Sequence, residues 1–278
     1  MTDTSSDIKP RRISLQLTLD PRSVVKPIHM AVWEGAEVIS VASRAIATAE
    51  YPAEIIIPGS IYHFKVSEVP LDAAERRRVG VNWLVAKGLN DLARAISQAL
   101  QEAYMYLTLI KEPRFIGTDV EWDAKFFALQ KTATDMHFIP LMNAVSAQLS
   151  APLNFIDEFS SLQKIRNCNE HRGGIVGFRD TKGEDTLLLK LPRVEIFVQQ
   201  GEVKRLVTTP EVELDTTQKD ASVSTELGTK EISFKLEERI ALDEVDYAGI
   251  VHASLLFADD LLAKLPISSL PPLSTMPE

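Results

Sequence analysis

Residues 81–110 read VNWLVAKGLN DLARAISQAL QEAYMYLTLI, and this stretch decides the fold. Its apolar side chains recur at steps of three or four residues, at Val85, Leu89, Leu92, Ile96, Ala99, Ala103, Leu107 and Ile110. Because an α-helix has 3.6 residues per turn, this spacing puts them on one side of a helix. The pattern predicts one long amphipathic helix that begins after Asp72 and ends before Pro113.

Two further helices are expected after this one. The apolar positions of the second are Trp122, Phe126, Leu129, Ala133 and Met136, and Pro140 should kink or divide it before residues 141–149. The third follows Pro152, carries Phe155, Phe159, Leu162 and Ile165, and should end at Gly173 and Gly174. Three long helices indicate a helical bundle.

The segments on the N-terminal side have mixed patterns. Residues 13–19 alternate strictly between apolar and polar, which predicts a half-buried strand that ends at Asp20-Pro21. Between residues 24 and 69, a helix-like apolar stretch at 38–49 precedes a β-rich run at 55–57. This part of the chain is therefore expected to be a mixed segment.

After Asp180 the apolar period changes to two. Residues 187–191, 194–198 and 203–207 are expected to form an antiparallel meander, with a turn at Gln200-Gly201. Residues 208–229 are polar and predict a loop. A strand at 231–240 and a helix at 243–265, capped by Asp243, should follow, and the Pro- and Ser-rich tail from residue 268 should be mobile.

Composition narrows the classes of function. The 278 residues include 30 Lys and Arg against 39 Asp and Glu, for a net charge of -9, so any nucleic-acid site must be local. The single Cys168 cannot form an intramolecular disulfide or a cysteine-based zinc site, which fits a reducing cytosol. No apolar run approaches the roughly 18 residues that span a bilayer, so we expect a cytoplasmic protein without membrane contact.

Several common chemistries lack their sequence signatures. The chain has no Walker loop, no GxSxG elbow, no HExxH and no GxGxxG at a strand-to-helix junction. The histidines outside the segment discussed next, His29, His63, His137 and His252, have no metal-ligand spacing. Neither a metal nor another cofactor is therefore expected.

The segment IRNCNEHRGG at residues 165–174 differs from the rest. On an ideal helix with Phe155 at zero, Phe159 lies at about 40°, Leu162 at about 340° and Arg166 at about 20°. Arg166 therefore lies within the apolar stripe, where an unpaired guanidinium is costly. It must face a cleft, a partner subunit, or a carboxylate such as Glu158 or Glu170.

Arg166 and His171 are about 140° apart on an ideal helix, and Asn167 shares the face of His171. The two could approach each other if the last turn loosens at Gly173, or if they meet across the two-fold axis of a dimer. Histidine can move protons near neutral pH, and arginine can stabilise charge on a phosphodiester transition state. The pair thus has the chemistry for phosphodiester cleavage.

Residues 166–171, RNCNEH, resemble the R-x(4–6)-H signature of the HEPN superfamily (higher eukaryotes and prokaryotes nucleotide-binding), in its RNxxxH form. The resemblance covers this hexapeptide and a compatible helical run from about Asp72 to Gly177, and the layout also resembles a group of bacterial proteins. It implies a helical bundle with the motif near the end of a late helix, often in a homodimer with one shared cleft. Many such domains are metal-independent endoribonucleases of toxin, defence and RNA-processing systems.

By that resemblance Arg166 and His171 are catalytic, and Asn167 orients the pair or the scissile phosphate. Arg172 and the basic run Arg76-Arg77-Arg78 are candidate RNA contacts, although such a run is more often a solvated surface. The implied function is an endoribonuclease in bacterial stress or anti-phage defence, with RNA as substrate, a homodimeric state, and an antitoxin or defence protein as partner. The alternative is a non-catalytic module that binds nucleotide or a protein.

The expected class is α+β. Its parts are a mixed N-terminal segment at residues 1–71, a HEPN-like helical core at 72–178, a C-terminal meander with a closing helix at 179–267, and a flexible tail at 268–278.

Overall fold

The computed structural model describes residues 12–16, 19–49, 54–56, 63–65, 72–112, 114–207 and 221–266. Its helices are α1 (Arg22–Thr48), α2 (Ala73–Leu109), α3 (Asp119–Asp135), α4 (Phe138–Ser146), α5 (Ile156–Arg172), α6 (Phe178–Thr181) and α7 (Glu244–Lys264). Its strands are β1 (Arg12–Gln16), β2 (Glu54–Ile56), β3 (His63–Lys65), β4 (Arg114–Thr118), β5 (Thr186–Gln200), β6 (Val203–Leu206) and β7 (Ala221–Lys235). The α+β class is confirmed.

The long helix predicted from the central stretch is α2. All the predicted stripe residues from Val85 to Leu107 are buried, and Ile110, just past the helix end, is half-buried. At its start, the Asp72 carboxylate accepts a hydrogen bond from the Glu75 N–H at 2.8 Å. Periodicity located this helix because one of its sides is buried over nearly its whole length.

The second predicted helix is divided, as Pro140 indicated. α3 begins at a capping box, in which Thr118 and Glu121 satisfy each other's backbone N–H groups, and it ends before Met136. α4 then begins after His137, which places Pro140 in its first turn. Proline is tolerated there because the N–H groups of the first turn have no partner within the helix.

The third predicted helix is α5. Phe155 was expected inside it, but this residue precedes the helix in the left-handed region, with φ of 60°. Phe159, Leu162 and Ile165 are buried as expected. The helix ends at Gly173 and Gly174, which both have positive φ, and this end is confirmed.

The largest difference from expectation on the N-terminal side is α1. Helix-like sequence was expected only at 38–49, whereas α1 runs over 27 residues from Arg22. Pro27 lies inside it and removes one backbone hydrogen-bond donor. Because proline usually breaks a helix, the sequence pattern did not predict a helix at this position. The fully buried Val24, Val25 and Ile28 on both sides of Pro27 offset that loss.

Two short antiparallel pairings involve the predicted N-terminal strands. β1 pairs antiparallel with β4, and its exposed Ser14 lies between half-buried Ile13 and Leu15, as the alternation predicted. β2 pairs antiparallel with β3 and contains two residues of the β-rich run. Residues 1–11, 17–18 and 57 lie outside the described residues.

The C-terminal sheet is antiparallel, but it is not a meander. Its order is β6-β5-β7, because β7 pairs with β5 along all 15 residues of that strand. Both strands expected at 187–191 and 194–198 belong to β5, which continues through Pro192. The Lys190 N–H of β5 donates to the Ser161 hydroxyl rather than to β7, so Pro192, two residues on, also has its nitrogen turned away from β7.

The expected loop at 208–229 is wrong in its second half, since β7 begins at Ala221. Residues 208–220 lie outside the described part of the chain, as do those from 267 onward. The strand expected at 231–240 ends earlier, at Lys235. The final helix and its Asp243 cap are confirmed, because the Asp243 carboxylate accepts the Asp246 N–H at 2.8 Å.

The chain divides into two compact units. One unit comprises residues 1–29, 95–156 and 257–278, and it contains the β1–β4 pair, α3 and α4. The other comprises residues 30–94 and 157–256, and it contains the three-stranded sheet, α6 and nearly all of α5. The motif and the sheet therefore belong to the same unit.

In the described ranges, none of the helices has both the length and the apolar character needed to cross a membrane.

Tyr247 of α7 packs against two helical glycines of this second unit. A Cβ atom added at Gly35 would overlap the Tyr247 hydroxyl, and one at Gly88 would lie 2.8 Å from Cε2 of the same ring. The hydroxyl is buried and has no hydrogen-bond partner among the described residues. Burial raises the pKa of Tyr247 to about 12. The absent side chains of Gly35 and Gly88 thus make room for this ring.

Gly35→Ala should lower the free energy of unfolding by about 1–3 kcal/mol, because the new methyl group overlaps the Tyr247 hydroxyl. In a Tyr247→Phe background the same change should be neutral or stabilising, by up to about 1 kcal/mol, since alanine favours helix more than glycine. Urea unfolding measures both effects. Gly249→Ala is the control, because a Cβ atom there meets nothing within 4 Å. Equal costs of Gly35→Ala in the two backgrounds would contradict this packing.

Candidate functional site

The three motif residues Arg166, Asn167 and His171 all lie in regular helix. α5 continues through Arg172, and the Gly174 N–H then donates to the Cys168 carbonyl at 3.1 Å. The last turn therefore does not loosen at Gly173. The angle of about 140° between Arg166 and His171 on an ideal helix applies, and one copy of α5 does not bring the two side chains together.

Arg166 is paired with a carboxylate of its own helix. Its Nη2 atom lies 3.0 Å from the Glu170 carboxylate, and Glu170 also forms an ion pair with Arg94 of α2. The side chains of Arg166 and Glu170 are 29% and 20% exposed. Glu170 was one of the two partners considered from the sequence, and Glu158 instead accepts a hydrogen bond from Thr229. One carboxylate thus serves two guanidinium groups.

Charge pairing keeps the Glu170 carboxylate ionised. Burial raises its pKa, but the hydrogen bonds and positive charges of Arg94 and Arg166 together outweigh burial and hold the pKa below its ordinary value. At neutral pH the group of three therefore carries two positive charges and one negative charge, and Arg94 also lies 3.4 Å from the Asp91 carboxylate. The Nε atom of Arg166 is buried and has no hydrogen-bond partner among the described residues.

The intervening motif residues anchor the helix. The Asn169 amide donates to Asn90 of α2 at 3.1 Å, and nearly two turns earlier in α5 the buried Gln163 donates to the Ala93 carbonyl at 2.8 Å. The Cys168 thiol donates to the Ile175 carbonyl, and burial raises its pKa. Cys168 is therefore a structural residue here.

Asn167 and His171 are exposed, in contrast to these anchors. Neither side chain has a hydrogen bond or ion pair with any described residue. Both are available to a bound molecule or to a second subunit. The motif thus has two exposed polar side chains and one arginine that is held in place by a carboxylate.

The other predicted RNA contacts differ in their surroundings. Arg172 forms an ion pair with Asp180 of α6, so its charge is compensated. In the first two turns of α2, Arg78 pairs with Glu75 at 2.7 Å. Arg78 and Arg94 are sixteen residues apart on the same helix, which corresponds to about 24 Å along its axis. The structure does not bring the basic run to the Arg166–Glu170 pair.

Sequence reasoning missed Arg239, which contacts the end of α5. Residues 237–240 run antiparallel to 174–176, where the Val176 N–H donates to the Glu238 carbonyl and the Ile240 N–H donates to the Gly174 carbonyl. The Arg239 guanidinium donates to the Gly173 carbonyl at 2.6 Å. Arg239 follows Gly173 by 66 residues, and no local pattern indicates this contact.

A groove of about 520 Å³ lies elsewhere in the same unit. Its lining includes Pro192 and Arg193 of β5, the ion-paired Lys230 and Asp246, and His252 of α7. None of the motif residues lines it. Among the described residues, no three His, Cys, Asp or Glu side chains are grouped so that they could hold a metal ion.

Comparison with known proteins gives no family assignment. No protein-family model matches the chain, and neither a curated protein nor a solved structure matches it significantly.

Proposed function

We propose that the chain is a metal-independent endoribonuclease of HEPN type. The observation that carries this proposal is the arrangement of RNxxxH at the end of α5, where His171 is exposed and without a described partner and Arg166 is fixed by Glu170. A proton-transfer group that is free to meet substrate and a fixed cation are the two elements that cleavage of RNA requires.

The chemistry uses a nucleophile that RNA itself provides. The ribose 2′-OH attacks the adjacent phosphorus, the bond from phosphorus to the 5′-oxygen breaks, and the products are a 2′,3′-cyclic phosphate and a 5′-OH. His171 either takes the proton from the 2′-OH or gives a proton to the departing 5′-oxygen, and water exchanges the other proton. Arg166 stabilises the negative charge that develops on the phosphoryl oxygens. Asn167, on the same face as His171, orients the phosphate.

The proposed active unit is a homodimer. Arg166 and His171 diverge on a single α5, so a composite site needs His171 from one protomer and Arg166 from its partner. Two such sites would form around one two-fold axis. The exposure of Asn167 and His171 is consistent with a face that a second copy shares.

Cleavage in the presence of EDTA tests the proposal. The purified chain should cut single-stranded RNA and leave 2′,3′-cyclic phosphate and 5′-OH ends, which mass spectrometry of the fragments identifies. DNA of the same sequence and 2′-O-methyl RNA should stay intact, because neither has the 2′-OH nucleophile. Cleavage of DNA, or cleavage that needs an added divalent metal, would overturn the mechanism.

A second candidate is a non-catalytic module that binds nucleotide. Two observations favour it: Arg166 already has a carboxylate partner, and the groove of about 520 Å³ falls within the usual size of ligand pockets. Gly249 lines this groove, and a Cβ atom there meets open space. If this candidate is right, Gly249→Leu should weaken nucleotide binding in calorimetry, and His171→Ala should leave it unchanged.

A further inference from the structure

The end of α5 has a surplus of positive charge, although the chain as a whole has a net charge of -9. Glu170 is shared by Arg94 and Arg166, and Arg94 also pairs with Asp91. Asp91 pairs with Lys87 in turn, so this linked group of five side chains has a net charge of +1. The pair of Arg172 and Asp180 is neutral. Arg239 adds a further positive charge, because its hydrogen-bond partner, the Gly173 carbonyl, is uncharged. A local anion site is thus possible in an acidic protein.

Arg239 is exposed and has no carboxylate partner among the described residues. The neighbouring Glu238 carboxylate accepts the Lys235 N–H at 2.7 Å and forms no ion pair with Arg239. The backbone around Arg239 is fixed by its antiparallel pairing with residues 174–176. The guanidinium is therefore held beside Gly173, two residues beyond His171, and its remaining N–H groups are free to donate.

The position of Arg239 offsets an electrostatic cost of binding RNA there. A helix C-terminus carries about half of a negative charge, which repels a phosphate that approaches the last turn. His171 lies in that last turn, so a cation at the end of the helix favours the approach of RNA. Arg239 has this position. Its hydrogen bond to Gly173 could also serve only to cap the helix, and a neutral donor would suffice for that purpose.

We propose that Arg239 forms a phosphate subsite, which binds the RNA backbone next to the phosphate that His171 acts on. This inference rests on the proposed ribonuclease function, since it takes RNA as the ligand. Arginine suits the role because its planar guanidinium can keep its bond to Gly173 and donate its other N–H groups to phosphate oxygens. The subsite lies outside the RNxxxH motif and comes from the C-terminal part of the chain.

The test measures binding rather than cleavage. The probe is a fluorescent 20-nucleotide 2′-O-methyl RNA, which cannot be cut, and its affinity is measured by anisotropy over a range of KCl concentrations. Arg239→Gln keeps a donor for Gly173 and removes the charge. It should weaken binding about tenfold at low salt and reduce the slope of log K against log salt by about 0.7. The melting temperature should not change.

Arg205→Gln is the matched control. Arg205 is an exposed arginine of β6 that pairs with Val198, whereas Arg239 follows the end of the sheet where Thr186 pairs with Lys235. Val198 and Thr186 are twelve residues apart on β5, which is about 40 Å of strand. Arg205→Gln should therefore leave the affinity and the salt slope as in the wild type.

The outcomes separate the two proposals. An unchanged salt slope in Arg239→Gln overturns the phosphate subsite, even if the wild type cleaves RNA. A reduced slope supports the subsite, even if unmodified RNA is never cleaved and the ribonuclease proposal fails. If Arg239→Gln lowers the melting temperature, the Arg239→Lys variant, which keeps the positive charge, decides between the outcomes. A wild-type salt slope in Arg239→Lys supports a contact between this charge and phosphate. A slope as low as that of Arg239→Gln overturns it.

Discussion

His171→Ala should lower the rate of RNA cleavage by about 10²–10⁴-fold and leave the melting temperature nearly unchanged. The loss follows from removing the group that transfers the proton. Stability should hold because His171 is exposed and has no described partner, and such surface changes usually cost within about 0.5 kcal/mol. Initial rates on a labelled RNA and thermal unfolding measure the two effects. His252→Ala, at another exposed histidine, should change neither.

Mixing two inactive variants tests whether the site is shared between protomers. If Arg166 and His171 meet across a two-fold axis, a heterodimer of Arg166→Ala and His171→Ala chains has one intact site, because each chain supplies the residue that the other lacks. Mixed and re-equilibrated samples should then regain up to about a quarter of wild-type cleavage. That figure follows because half of the dimers are heterodimers, and each heterodimer has one intact site out of two. No recovery from a confirmed heterodimer would contradict the shared site, and full cleavage by His171→Ala alone would remove His171 from the mechanism.

The helices around the motif could be predicted because their burial is one-sided. In α2 every apolar residue from Val85 to Leu107 on the predicted stripe is buried, so a period of 3.6 is visible in the sequence. α1 was mostly missed for the opposite reason: Pro27 suggests a break, and the burial that compensates for it is not local. The strand order was missed because β7 is joined to β5 by pairings that no local pattern specifies.

The candidate site, like the fold, could be predicted from the sequence only in part. RNxxxH is contiguous, so its helix and its position near Gly173 could be predicted, whereas the side chains that surround it come from distant segments. Arg94 and Arg239 reach the end of α5 from α2 and from the turn after β7. Helical periodicity indicates that Arg166 needs a partner, but only the packing of α5 shows that its carboxylate, Glu170, is shared with a second arginine. Tertiary contacts of this kind determine local charge, and sequence spacing does not.

Arg166→Ala and Glu170→Ala should differ in stability although they break the same ion pair. When Arg166 is removed, Glu170 keeps Arg94 as its partner, so the free energy of unfolding should fall by less than about 1 kcal/mol. When Glu170 is removed, Arg166 loses its carboxylate partner and Arg94 keeps only Asp91, at 3.4 Å, so the loss should be about 1–2 kcal/mol. This is less than for a fully buried charge, because both arginines are partly exposed.

The two variants should also differ in activity. Arg166→Ala should reduce cleavage by about 10²–10³-fold, the usual cost of removing one group that stabilises transition-state charge. Glu170→Ala retains that group but frees its side chain, so its loss of cleavage should be smaller. Urea unfolding and single-turnover rates compare the pair directly. An Arg166→Ala protein that is the less stable of the two would show that Arg166, rather than Glu170, is the centre of the cluster.

The pH dependence of the unfolding free energy should show the contribution of the Glu170 carboxylate. Because the folded-state pKa of Glu170 is lower than its ordinary value of 4.5, its ionised form stabilises the fold at every pH above that value. This stabilisation should decline as pH falls below about 4.5 and should be lost once the pH passes the folded-state pKa. Glu170→Gln cannot ionise, so its difference in unfolding free energy from the wild type should be greatest near neutral pH and should shrink with acidification. A difference that stays constant from pH 7 to pH 3 would mean that the two arginines do not depend on the Glu170 charge, and the positioning of Arg166 would then need another source.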